Sequence, residues 1–60
     1  MKIDEYMDLK ELAEHMGTDD LAEAGRMRRL LLGADRGRTE DFSGEEWAQL
    51  LIEAGQEGEE

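Results

Sequence analysis

The chain has no cysteine and no proline, only three aromatic residues and only seven basic ones among its sixty positions. Without cysteine no disulfide can staple a fold this small, and a core of this size supplies about 3–5 kcal/mol at most. Either the helices pack well, or a second copy or a partner completes the core. The lack of cysteine also suits a reducing interior. No apolar run approaches membrane length, and Met1-Lys2-Ile3-Asp4-Glu5 lacks the basic and apolar regions of a signal peptide, so a soluble, intracellular protein is expected. No internal repeat and no strand-like alternation is present, which leaves an all-α fold.

What the chain has is acid. Seventeen Asp and Glu against seven Lys and Arg leave a net charge of −10. Such an excess repels itself, disfavours nucleic acid and anionic membranes as partners, and favours something basic. A protein groove that normally holds DNA or RNA is the obvious kind. Plain solubility, or a salt-loving source, accounts for the same composition without any partner.

The best-marked segment is Phe42 to Gly55, FSGEEWAQLLIEAG. Ser43 and Glu46 have capping-box spacing, and Phe42 with Trp47 forms a hydrophobic staple across the cap. Trp47, Leu50, Leu51 and Ala54 then make one apolar stripe, and Gly55 is placed to end the helix. Upstream, Tyr6, Leu9, Leu12, Ala13 and Met16 form another stripe that Gly17 closes. Its start is either Asp4 or Asp8; Asp8 with Glu11 reads as an aspartate capping box with Met7 and Leu12 as staple. A middle helix follows, capped by Thr18, with Leu21, Ala24, Met27, Leu30 and Leu31 inward and Gly33 as its stop. Gly25 within it suits a close helix approach or a bend, at a cost of about 1 kcal/mol. The expectation is a single domain over 1–55, a bundle of three helices at about 4–16, 18–32 and 43–54. A separate N-terminal turn would make four, and 56–60 is an acidic tail.

Charge is shared unevenly among these pieces. Residues 1–17 hold five acids and two bases, 18–33 three of each, and 43–60 six acids and no base. The middle helix is therefore neutral and its neighbours are negative. On the first helix Asp4, Asp8, Glu11 and Glu14 step by four, three and three, a spacing that sets neighbours about 5–6 Å apart on one face. A rigid row of carboxylates can stand in for phosphates, which carry one charge per roughly 1.7 Å of duplex. Asp19, Asp20 and Glu23 open the middle helix, and Glu45, Glu46 and Glu53 repeat the pattern on the third. The plain alternative is the solvated face of amphipathic helices.

Other constellations are weaker. Leu9 to Gly17 (LKELAEHMG) looks like the first helix and turn of a helix-turn-helix, but a recognition helix beginning with Asp19, Asp20 and Glu23 would repel phosphate. DNA binding would rest on Arg26, Arg28, Arg29, Arg36 and Arg38, whose plainer role is pairing with nearby acids such as Glu23 or with the acidic third helix. His15 is the only histidine and has no nucleophile placed to work with it. The run Asp35 to Glu46 has calcium-loop length, yet Gly37, Thr39 and Glu40 stand where its acids and turn glycine belong. No metal, no cofactor and no enzymatic activity are expected.

In size, charge and helical make-up, and in Asp4, Asp8, Glu11, Glu14, Asp19, Asp20, Glu23, Glu45, Glu46 and Glu53, the chain resembles the small acidic helical anti-CRISPR proteins of phages and mobile elements. Some of these look like DNA to the type I surveillance complex, Cascade. The resemblance implies a cytoplasmic inhibitor in a host cell, a monomer or small homo-oligomer. Its partner would be a basic nucleic-acid-binding complex, with no nucleic acid and no membrane bound directly. It also requires the arginines of the middle segment to face away from the partner or be neutralised within the fold. The alternatives are a small helix-turn-helix regulator or excisionase-like factor, and an antitoxin-like module that needs its partner to fold.

Overall fold

A computed structural model describes residues 1–56, and in it three α-helices follow one another: α1 (Leu9–Met16), α2 (Leu21–Gly33) and α3 (Gly44–Gln56). A single 3-10 turn, Thr39–Asp41, lies between α2 and α3. The all-α bundle expected from the sequence is thus observed. The helix α2, whose segment 18–33 balances to zero charge, is the middle layer, packed against both α1 and α3. Ala24, Met27 and Leu31 of α2 are fully buried with Leu12, Ala13 and Ala54, and Ile3 and Met7 close the same core. None of the described helices is long and apolar enough to cross a membrane.

The helix starts settle one open choice and correct one expectation. α1 begins after Asp8, which is extended and accepts from the amide of Lys10 at 2.9 Å. Asp4 does not begin this helix. Its carboxylate accepts from Tyr6 N at 2.9 Å, closing a separate turn in which Met7 N donates to Asp4 O. Each aspartate captures the amide two residues ahead, and that local bond competes with the helical ladder. Asp8 pairs with Lys10 rather than in a box with Glu11, although both staple residues, Met7 and Leu12, are buried. Tyr6, outside the helix, is 86 % exposed instead of sharing the stripe.

α1 ends as expected at Gly17, in the left-handed region at φ 84°. Thr18 N donates to Ala13 O and Gly17 N to Glu14 O, the pattern of a Schellman motif. Asp20, not Thr18, then caps α2, accepting from Ala22 N at 3.0 Å and Glu23 N at 3.3 Å. Thr18 supports the cap by accepting from Asp20 N through its hydroxyl. An ionised cap also meets the positive end of the helix dipole, which favours the carboxylate over the hydroxyl. At the other end Gly33 is still helical, and the left-handed residue is Asp35 at φ 60°. Leu21, at the first position of α2, is 50 % exposed rather than inward. At Gly25 the helix approach is not a tight one: a Cβ there would stand 3.9 Å from Leu9 Cδ1, an ordinary distance.

α3 starts as the sequence indicates. Ser43 Oγ accepts from Glu46 N at 3.1 Å, and Glu46 accepts from Ser43 N at 2.9 Å. Phe42 and Trp47 lie with ring centroids 6.5 Å apart across this box. The far end runs past Ala54 and through Gly55 to Gln56, beyond the expected boundary. Arg26 of α2 holds this end, its Nε donating to Ala54 O at 2.7 Å, one of the terminal carbonyls that have no partner within the helix. Gly55 instead gives room to α2: a Cβ there would lie 3.4 Å from Glu23 Oε2. Of the expected acidic tail, Gln56 belongs to α3 and 57–60 lie outside the described residues.

One tertiary contact ties the first residues of the chain to the connection between α2 and α3. Residues 1–3 are extended and clamped to the segment before the 3-10 turn: Ile3 N donates to Gly37 O and Thr39 N to Met1 O, both at 2.9 Å. Lys2 and Arg38 form an antiparallel bridge between them. This contact tucks Ile3 and Thr39 under cover.

Candidate protein-binding surface

The structure divides the acidic residues into two groups. Asp4, Asp8 and Asp20 hold amides at turns and caps, Asp41 accepts from Arg38 N, and Glu46 is held in the α3 capping box. Glu23 lies half-buried against Gly55. These carboxylates shape the fold. Glu5, Glu11, Glu14, Asp19, Asp35, Glu45 and Glu53 are exposed, and among the described residues their side chains make no hydrogen bond or ion pair. The expected face of Asp4, Asp8, Glu11 and Glu14 is therefore shorter than its spacing suggests. Only Glu11 and Glu14 stand inside α1, with Asp8 at its cap and Asp4 in the preceding turn.

The two acidic helices meet at one junction. His15, near the end of α1, sets its ring edge-on to Trp47 in the first turns of α3, with centroids 5.5 Å apart and planes at 85°. His15 Nε2 lies 3.5 Å from the hydroxyl of buried Thr39. An open groove beside this junction is lined by Met1, Glu11, Glu14 and His15. Sequence reasoning found the Phe42–Trp47 staple but not this cluster, since no local spacing links residues 15, 39 and 47. The scarcity of aromatics was the available signal: one exposed imidazole is a natural cover for the only indole.

Electrostatics at the junction follow from hydrogen bonding. Glu40 accepts from the Met1 amino group at 2.7 and 2.8 Å, and that bond holds its carboxyl far below the ordinary 4.5, at about 2. Glu46 is also lowered, first by the Ser43 backbone amide, which outweighs the opposing desolvation, with the Arg36 guanidinium adding a smaller effect. Both groups stay ionised at neutral pH.

Three of the five arginines are engaged within the fold, while Arg29 and Arg38 are exposed and their side chains make no hydrogen bond among the described residues. Arg26 reaches Ala54 O, and Arg28 donates to Met7 O at 3.1 Å. Arg36 lies 5.1 Å from the Phe42 ring centroid, bonds the Asp41 carbonyl and pairs with Glu46 at 3.0 Å. The expected bridge from the loop to the third helix is present; the expected pairing of Arg26 with Glu23 is replaced by the Arg26–Ala54 bond. Along the calcium-like run, Asp41 and Glu46 turn to these internal partners. Among the described residues no three His, Cys, Asp or Glu side chains converge on a common point.

This arrangement can present negative charge on a stiff frame, with its cations partly absorbed inside. Compared with protein-family models, with curated proteins and with solved structures, the chain finds no match.

Proposed function

We propose that the protein is a non-enzymatic inhibitor whose outward carboxylates occupy a lysine- and arginine-lined groove of a nucleic-acid-handling complex. In its finer form the proposal is the anti-CRISPR one: a DNA mimic acting on a type I Cascade complex in a host cytoplasm. The observation that supports it is the excess of outward acid over outward base. Glu5, Glu11, Glu14, Asp19, Asp35, Glu45 and Glu53 are exposed without a partner among the described residues, against Lys2, Lys10, Arg29 and Arg38, while Arg26, Arg28 and Arg36 are engaged within the fold. Affinity would then come from charge pairing with few apolar contacts, and association would be fast and would slow as salt rises.

The same sorting defines a clean test. Asp8 and Glu46 make cap hydrogen bonds, so reversing them perturbs folding as well as charge. The pairs Glu11→Lys with Glu14→Lys, and Glu45→Lys with Glu53→Lys, change only the coat. Each pair should leave the circular dichroism spectrum unchanged and abolish inhibition of Cascade target binding. Folded variants that inhibit as well as the parent overturn the proposal. The helix-turn-helix alternative keeps the α1–turn–α2 connection but has Arg26, Arg28 and Arg36 engaged within the fold, and it predicts retardation of duplex DNA at low salt. The antitoxin-like alternative predicts weak helicity and no cooperative melt for the isolated chain.

A further inference from the structure

The turn that ends α1 creates a cleft the acid coat alone would not provide. Lys10, Ala13, Glu14, Thr18, Asp19 and Leu21 line a depression of about 230 Å³ between α1 and the start of α2. Its walls are mostly apolar: Ala13 belongs to the core, and Leu21 is a large aliphatic side chain left half uncovered. Gly17, at φ 84°, reverses the chain, and the Thr18 N to Ala13 O bond brings residue 19 back beside α1. Two carboxylates, Glu14 and Asp19, consequently stand in one lining although they belong to different elements. Both are exposed, and neither accepts a hydrogen bond among the described residues.

We infer that this cleft takes an arginine side chain of a basic partner protein. This rests on the reading of the protein as a ligand for a cationic surface, and it says which chemistry one point of that surface must have. An arginine offers a methylene stem that can lie on Leu21 and Ala13, and a planar fork that can meet two carboxylates at once. Charge complementarity favours it: two acids face one base, Lys10, on a chain of charge −10. A lysine places a compact, strongly hydrated charge at the rim and gains less from the apolar wall. Lys10 is the built-in competitor. It sits one helical turn from Glu14 and repels an incoming cation.

The test uses the full chain labelled with nitrogen-15 and titrated with N-acetyl-arginine methylamide, then with the lysine analogue. Amide shifts should be confined to residues 10–21, and arginine should bind more tightly than lysine. Leu21→Ala and Glu14→Gln, both at exposed positions, should each weaken binding by about tenfold, and Lys10→Met should tighten it. Shifts spread over every acidic segment, equal binding of the two analogues, affinities unchanged in the variants, or no binding at all would each overturn the assignment. Inhibition separates this from the broader reading. If Glu45→Lys with Glu53→Lys abolishes inhibition while Leu21→Ala and Glu14→Gln do not, the cleft falls and the acidic inhibitor stands. If the arginine analogue binds the cleft but no basic complex is inhibited, the reverse holds.

Discussion

The start of α3 and the N-terminal clamp hold the same junction from opposite sides, yet they are built from different kinds of contact. At the start of α3 every partner is close in sequence: Ser43 with Glu46, and Phe42 with Trp47. In the clamp, Ile3 and Met1 meet Gly37, Thr39 and Glu40 across more than thirty residues. The first can form as soon as the local chain turns helical. The second must await the docking of α1 and α2, because closing so long a loop has an entropic cost that only other contacts offset. Two sides of one junction should therefore respond differently to substitution.

The largest effect is expected in the clamp. Ile3 is buried and joins the core directly, so Ile3→Ala should cost about 2–5 kcal/mol. In a domain whose whole core supplies about 3–5 kcal/mol, that is enough to remove a cooperative melt by circular dichroism. A loss below about 0.5 kcal/mol, the size of a surface change, would mean the N-terminal segment is frayed in solution. Next comes Ser43→Ala, which should cost about 1 kcal/mol through the lost cap and speed amide exchange in the first turn of α3. The smallest effect is pH-linked. Glu40 has its folded value lowered from 4.5 to about 2, so its contribution is fully present above 4.5 and is lost as pH falls towards 2. Melts across that window should show a shallower decline for Glu40→Gln than for the parent. Identical profiles would show that the contact between Glu40 and the amino terminus does not persist in solution.

Legibility follows the same division. The apolar stripes, the glycine end of α1 and the Ser43 box were readable because each depends on neighbours within about one helical turn. Boundaries stayed open or went astray where two local solutions competed. Asp4 and Asp8 could each start a helix, as could Thr18 and Asp20, and in both pairs the later residue became the cap. Gly55 differs for another reason: it lies inside α3, beside a carbonyl, Ala54 O, that is served by Arg26, a residue from a different helix. Among the candidate site residues the acids were all visible, but not which of them are caps. Asp8 and Glu11 look alike in a list of charges, and one holds Lys10 N while the other stands in water.

By itself the sequence determined an all-α chain with a neutral middle helix, two negative neighbours and one well-capped start, because side-chain periodicity and cap chemistry act over a few residues. Tertiary packing decided the rest. It chose which carboxylates are tied to amides and which remain outward, set His15 against Trp47, and closed the clamp over Ile3 and Thr39. It also opened a cleft between Glu14 and Asp19. Those outcomes depend on distances between elements, and such distances exist only once the helices have met.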